Sequence, residues 1–320
     1  MNTATQTKLS NLWSKFGTLL ILVLMIAIIA LFGPPAFISS NNLVQIAIQS
    51  SITIITACGE FFAILVGGID LSVGSVMSLS GMVSAKLMVT AGVPWGWAVA
   101  VGLLVGAICG FINGGLINLT GLHPFVITLG TKSIFRGIVL ILSNAMSTYG
   151  FPQAFKSGMG GWISGIPMPV ALALVTSAIL WFFSSKTVMG RNIYALGGNK
   201  EAAWFSGIQT TRYTLLIHMI CGVCFALAGI VYTARIGSAE PLAGDGYETF
   251  AIAAAIIGGT SFFGGRGKIP TIVIGGLIIG TISNGLNMLG VSSYYQQVFT
   301  GALIIAAVTA DRVFKGKNEK

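Results

Sequence analysis

Charge is scarce in this chain: Asp, Glu, Lys and Arg together make up 8% of it, against about 25% in a soluble domain. That excludes a water-soluble globular fold. Histidine is scarcer still: His123 and His218 lie far apart, neither beside a carboxylate motif, so no metal site is expected. The four cysteines, Cys58, Cys109, Cys221 and Cys224, all fall inside apolar runs. The Cys221–Cys224 spacing there reads as packing rather than as a redox or metal pair. Nucleotide and hydrolase motifs are also missing. Gly267-Lys268 is followed by Ile269, and Phe262 stands where the first glycine of a P-loop would be. There is no H-E-x-x-H and no Ser-His-Asp set, so no catalytic residue is assigned and the chain is read as a non-enzyme. Asn118-Leu-Thr120 matches a glycosylation sequon but falls at an inner helix end, where it is a false positive.

What is present is hydrocarbon, 54% of 320 residues, in continuous rather than alternating runs. Continuity excludes a β-barrel. A helix needs roughly 20 apolar residues to cross about 30 Å of hydrocarbon, which predicts an all-α polytopic membrane protein of about ten spans. They are placed near 17–33, 43–66, 71–90, 97–118, 125–143, 168–184, 214–235, 249–263, 270–288 and 293–311, in one integral domain over 1–320. With the N-terminus inside, the inner segments collect Lys8, Lys15, Lys186, Arg191, Lys200, Arg212, Arg266, Lys268, Arg312, Lys315, Lys317 and Lys320. The outer ones hold Lys156, with Lys86 and Arg235 at their edges. The positive-inside rule then puts both termini in the cytoplasm. The net charge of +9 is thereby topology, not a nucleic-acid footprint. Trp13, Trp95, Trp97, Trp162 and Trp181 fall at span ends, where amphipathic rings prefer the headgroup layer. The first span lacks a small-x-small cleavage site and is read as an uncleaved helix.

One polar island interrupts the hydrocarbon, the segment 185–213. Its inner half carries the marks of a short helix: Asn199 as N-cap, Glu201 in the first turn, Gly207 as the stop. A capped helix on the membrane surface is a handle for something outside the bilayer. Two outer segments, 144–167 and 236–248, are long; the second holds Glu240, Asp245 and Glu248, either a solvated loop or a docking surface, to which Lys156 of the first adds a charge. Within the spans, Glu60 is costly and faces either a water-lined pathway or a buried partner. Lys132 and Arg136 share a face of the fifth span and are expected to snorkel to its inner end. Asp70 closes the second span in Gly67-Gly-Ile-Asp-Leu-Ser-Val-Gly-Ser75, a capped turn or a gate. Gly102, Gly106, Gly110 and Gly114 give the fourth span a face without side chains, and Gly276, Gly280 and Asn284 do so in the ninth. Serines of the third span, with Asn113, Asn118, Asn284 and Asn287, read singly as interhelical hydrogen bonds and together suit a neutral, hydroxyl-rich solute better than an ion.

Four segments, in order, carry a family resemblance: Gly67–Ser75; His123-Pro-Phe-Val-Ile-Thr-Leu-Gly130; Gly190-Arg-Asn-Ile-Tyr-Ala-Leu-Gly-Gly-Asn-Lys-Glu-Ala-Ala203; and Asn284-Gly-Leu-Asn-Met-Leu-Gly-Val-Ser-Ser-Tyr-Tyr-Gln296. Over nearly its full length the chain resembles the membrane permease subunit of ribose-type bacterial sugar ABC importers. The resemblance implies a multi-pass permease of the bacterial inner membrane that dimerises with a second copy or a paralogue and sits among membrane lipid. Its implied partners are a cytoplasmic ABC ATPase and an extracytoplasmic sugar-binding protein, with no cofactor on this chain and ATP and Mg on the ATPase. It implies that Gly190, Arg191, Ala195, Gly197, Asn199, Glu201, Ala202 and Gly207 couple to the ATPase. By analogy with related importers, Ile69, Asp70, Leu71, Leu122, His123 and Phe125 look like the cytoplasmic gate. Glu60, Asn113, Asn284 and Asn287 are placed on the sugar pathway, and Lys156, Glu240, Asp245 and Glu248 at the binding-protein surface. Glu60 departs from relatives, which often carry a neutral residue there. The expected solute is a monosaccharide, ribose or allose first; the rival reading is a proton-coupled secondary transporter working through Glu60.

Overall fold

A computed structural model describes residues 3–318; Lys320, and the side chains of Lys8, Trp13, Lys15, Arg312, Lys315 and Lys317, lie outside the described part. The chain is a bundle of helices: α1 (Thr3–Phe32), α2 (Ser40–Leu65), α3 (Val73–Val89), α4 (Trp95–Thr120), α5 (Pro124–Ser143), a single turn α6 (Gln153–Phe155), α7 (Met168–Lys186), α8 (Val188–Gly198), α9 (Lys200–Phe205), α10 (Thr210–Ile236), α11 (Tyr247–Ile257), α12 (Ile269–Met288) and α13 (Ser293–Asn318). A two-residue hairpin, Trp162–Ile163 with Ile166–Pro167, is the one sheet among the described residues. Six helices, α2, α4, α5, α7, α10 and α12, are long and apolar enough to cross a membrane, and Gly17–Phe32, Val73–Val89 and Tyr247–Ile257 are shorter apolar helices. The protein is an all-α, multi-pass membrane protein.

Local chemistry sets the helix ends. Ser39 Oγ accepts from Asn42 N at the start of α2, and His123 Nδ1 accepts from Phe125 N at the start of α5, where Pro124 takes a position needing no N–H. Gly121 and Gly237 end α4 and α10 in the left-handed region, at φ 67° and 78°.

Helix α2 is the core of the bundle, buried from Ser50 to Leu65 among α7, α10, α11 and α12. The most intimate pair is α4 with α10. A Cβ added at Gly106 would fall on the carbonyl of Gly222, and one at Gly110 on that of His218. The glycine face of α4 is therefore a helix contact, in which close backbone approach replaces the hydrophobic effect that lipid does not supply. Gly276 and Gly280 of α12 serve the same purpose against Ile54 and Ser50 of α2.

Two regions differ from the sequence reading. The helix predicted over 249–263 is α11, ending at Ile257, where Gly258 and Gly259 (φ 85°) turn the chain. Eleven residues rise only about 16 Å, half a bilayer. The missing depth is filled by 238–246, which is no solvated loop: Ser238, Ala239 and Ala243 are buried, Ala239 pairs with Thr148, and Gly244 lies against Gly74 of α3. Nor do Lys132 and Arg136 snorkel. Lys132 Nζ forms an ion pair with Glu248 Oε1 at the first turn of α11, and Arg136 Nη1 donates to Ser78 Oγ at 2.9 Å and to the carbonyls of Pro241 and Ala243. Basic side chains reach for the end of a helix only when nothing nearer neutralises them. Here a re-entrant segment and a helix-start acid do so.

Candidate gate and coupling site

The residues between α2 and α3 fold back into the bundle, and a buried polar cluster fixes them. Gly67, at φ 77°, allows the reversal, and Gly68 is so close to Pro124 that a Cβ would sit 3.0 Å from its Cγ. Asp70, 1% exposed, then meets four groups. Its Oδ1 accepts from Ser72 N at 2.9 Å and from Ser72 Oγ. Its Oδ2 lies 3.2 Å from His218 Nδ1 and accepts from Asn113 Nδ2 at 3.3 Å. A carboxylate only accepts, so Nδ1 carries the hydrogen in this bond. The backbone N–H of Asp70 in turn donates to Glu60 Oε1 at 3.0 Å, and Leu71 N donates to Thr128 Oγ1 at 3.0 Å. Residues from α2, α4, α5 and α10 thus hold one turn. The buried Asp70 carboxylate is tolerable because each of its oxygens has two partners; Glu60 Oε2 and Asn113 Oδ1 are the two cluster atoms without a partner.

Beneath this turn lie α8 and α9. Thr187 Oγ1 caps α8 by accepting from Gly190 N at 3.0 Å, and Asn199 Oδ1 caps α9 by accepting from Ala202 N at 2.9 Å. Glu201 stands in the first turn of α9, and Gly207 (φ 83°) follows its end. The sequence-expected cap and stop are both present, with α8 as an additional helix ahead of them. Within the predicted coupling set, roles divide. Gly190 and Gly197 are packing positions: a Cβ on Gly190 would strike the carbonyls of Phe183 and Ser184, and one on Gly197 would strike that of Leu65. Arg191, Ala195, Asn199, Glu201, Ala202 and Gly207 are exposed. Trp204 and Phe205, 61% and 80% exposed, add an aromatic pair at the tip of α9 that sequence reasoning passed over.

Gly197 packs on the backbone of Leu65 with no side chain between them. Leu65 is the last residue of α2, directly ahead of the turn, and its carbonyl also accepts from Gly265 N at 2.8 Å. Tyr194 OH donates to the carbonyl of Gly267 at 2.8 Å, tying α8 to the 258–268 loop as well. Burial holds the Tyr194 hydroxyl above its usual range, so it remains a neutral donor at physiological pH. A cavity of about 460 Å³ lies where these parts meet, lined by Gly67, Leu122, His123, Leu196, Lys200 and His218 among others. Two residues of the gate set expected from sequence, Leu122 and His123, line it; none of the expected coupling set does, although Leu196 and Lys200 of the same segment do. Leu122 and His123 are exposed where they line it, Phe125 is exposed close by in sequence, and Asp70 is buried.

The four residues placed on the sugar pathway do not come together. Glu60 and Asn113 belong to the buried cluster. Asn284, at the other end of the bundle, exchanges two hydrogen bonds with Asn42 at 3.0 and 3.1 Å, and Asn287 Oδ1 accepts from Gln296 Nε2 at 2.7 Å. Of the four residues expected at a binding-protein surface, Asp245 is exposed, Lys156 and Glu240 are half-buried, and Glu248 is buried and engaged by Lys132. His218, Thr128 and the partners of Lys132 were missed. His218 gave a single signal, one histidine in an apolar run, without any sign of an acid 148 positions away.

Residues 42–308 match the family described as branched-chain amino acid transport system / permease component. The chain belongs to this permease family. Among curated relatives, the D-allose transport system permease protein AlsC of Escherichia coli (strain K12) is 56% identical over 301 residues, covering 94% of this chain and 92% of its own. The ribose import permease protein RbsC of Bacillus subtilis (strain 168) is 43% identical over 300 residues, 93% of this chain and 92% of its own. The L-arabinose transport system permease protein AraH of Escherichia coli (strain K12) is 34% identical over 303 residues, 94% and 92% respectively. No solved structure matches the chain. The resemblance to ribose-type permeases thus stands, and the chain is a transport subunit rather than an enzyme. The secondary-transporter reading is not favoured: relatives are named as permease components of transport systems, and Glu60 is fully buried.

Proposed function

We propose that this chain is the permease subunit of an ATP-driven importer of a monosaccharide, with allose ahead of ribose because the allose permease shares the greater identity. It sits in a bacterial cytoplasmic membrane with both termini and the α8/α9 end inside. It pairs with a second copy or a paralogue, receives sugar from an extracytoplasmic binding protein, and docks a separate ATPase that holds ATP and Mg.

The observation that carries the coupling is the close packing of Gly197 on the carbonyl of Leu65. A displacement of α8 cannot be absorbed at a contact with no side chain to yield, so it is passed to the end of α2 and the turn at 66–72. Glu201, with Trp204 and Phe205, presents the surface the ATPase grips. Movement of the turn against Pro124 and Thr128 opens the rim formed by Leu122, His123 and Phe125. Asp70, Glu60, Asn113 and His218 position that turn and do not touch sugar. Solute is held weakly in transit, since a tight site would trap it. The test is purification of the tagged chain in mild detergent with mass spectrometry of what accompanies it. Recovery of an ATPase bearing a P-loop is expected; the chain recovered alone from cells expressing the whole system would overturn the proposal.

A further inference from the structure

Beside the coupling region, at the junction of α7, α8 and α12, lies a second cavity of about 560 Å³. Arg191, Lys268, Ser185, Tyr194 and Trp181 line it. Neither Arg191 nor Lys268 has an acid partner among the described residues. The cavity also receives the start of α12: Lys268, Ile269 and Pro270 line it, and no side chain caps that helix. Two unneutralised cations and the positive end of a 20-residue helix therefore face one hollow. Continuous with it, and sharing Trp181, Ile269 and Pro270, an apolar groove of about 260 Å³ runs toward the bilayer between Ser177, Ala178 and Val273. Lys186 lies 6.0 Å from the Trp181 ring, a further cation at the same level.

We propose that this cavity and groove bind one anionic phospholipid, its phosphate between Arg191, Lys268 and the start of α12, and one acyl chain in the groove along α7 and α12. Charge complementarity decides the headgroup, because basic hollows between spanning helices on the cytoplasmic side attract anionic lipid. The apolar groove decides against a free anion, which has no use for it. Lipid rather than protein occupies it because the groove opens to the hydrocarbon layer, where lipid chains are the available partner. The site rests on the reading that the α8/α9 end faces the cytoplasm. Its consequence is that a lipid phosphate would join α8 to α12.

The full-length protein, incorporated into phosphatidylcholine nanodiscs containing a minority of phosphatidylglycerol, is released and its retained lipids counted by native mass spectrometry. Retention does not depend on transport, so failure of the importer reading and failure of this one are separable. Wild type should retain phosphatidylglycerol over phosphatidylcholine. Lys268→Gln should lower that retention about fivefold, the expected loss for one cation near the membrane surface, and Lys268→Arg should restore it. Ala178→Trp, which fills the groove, should lower it with the cations intact, and supplies the readout should Lys268→Gln fail to fold. Equal retention by wild type and Lys268→Gln, or no preference for the anionic lipid, would overturn the site. So would loss of lipid to inorganic phosphate with Ala178→Trp unchanged, which would mark a small-anion site instead.

Discussion

Replacing His218 by Ala tests the cluster that holds the turn between α2 and α3. The side chain is 1% exposed, and its Nδ1 is 3.2 Å from Asp70 Oδ2. Without it, that oxygen keeps one long bond, 3.3 Å from Asn113. Removing one partner of a buried pair costs about 3–5 kcal/mol, because the other is left charged and unmatched. Each kcal/mol moves the midpoint of a chain of this size by about 2–4 °C, so the apparent melting temperature in detergent should fall by about 10 °C. Asp70→Asn alone should also destabilise, since an amide cannot accept all the bonds a carboxylate does. The double variant should be less damaged than the two losses added, with a coupling above about 1 kcal/mol. Losses that add to within about 0.5 kcal/mol would refute the cluster as a unit.

Three further outcomes are expected. Gly110→Ala places a Cβ 2.8 Å from Met219 Cα, well inside contact distance, and should separate α4 from α10 at a cost of about 1–3 kcal/mol, read as a lowered melting temperature; an unchanged midpoint would contradict the close packing. Glu201→Arg reverses the acid in the first turn of α9 and should leave folding intact while abolishing ATPase retention and uptake, so wild-type transport in that variant would remove the coupling assignment. Lys132→Met strands Glu248 beside the still-anchored Arg136 and should destabilise by about 3–5 kcal/mol, whereas Lys132→Met with Glu248→Gln should recover most of it, as measured by thermal unfolding.

Long apolar runs in a chain with so few charges sufficed to read an all-α membrane bundle, since length and continuity leave few alternatives. Local signals were equally readable where they act over three or four residues: Asn199 caps α9 and Gly207 follows it, as their types dictate. Three features escaped, each for a physical reason. The re-entrant course of 238–246 has the composition of a solvated loop, and its burial depends on Arg136 supplying a donor to carbonyls more than a hundred positions away. The Lys132 and Glu248 pair joins residues 116 positions apart, and a lone basic residue in a span has snorkelling as its default. The third is which partners the span asparagines take: Asn284 meets Asn42, and Asn113 meets Ser72 and Asp70, because a polar side chain in a bundle first satisfies its nearest neighbour. Composition reports that such groups exist; only the fold reports whom they meet.

Uptake of labelled allose into proteoliposomes tests the central claim most directly, using the chain reconstituted with its ATPase and sugar-binding protein. The account predicts accumulation that requires ATP on the ATPase side and the binding protein on the other, and that persists when an uncoupler dissipates the proton gradient. Accumulation by the chain alone, driven by a proton gradient and abolished by uncoupler and by Glu60→Gln, would contradict it.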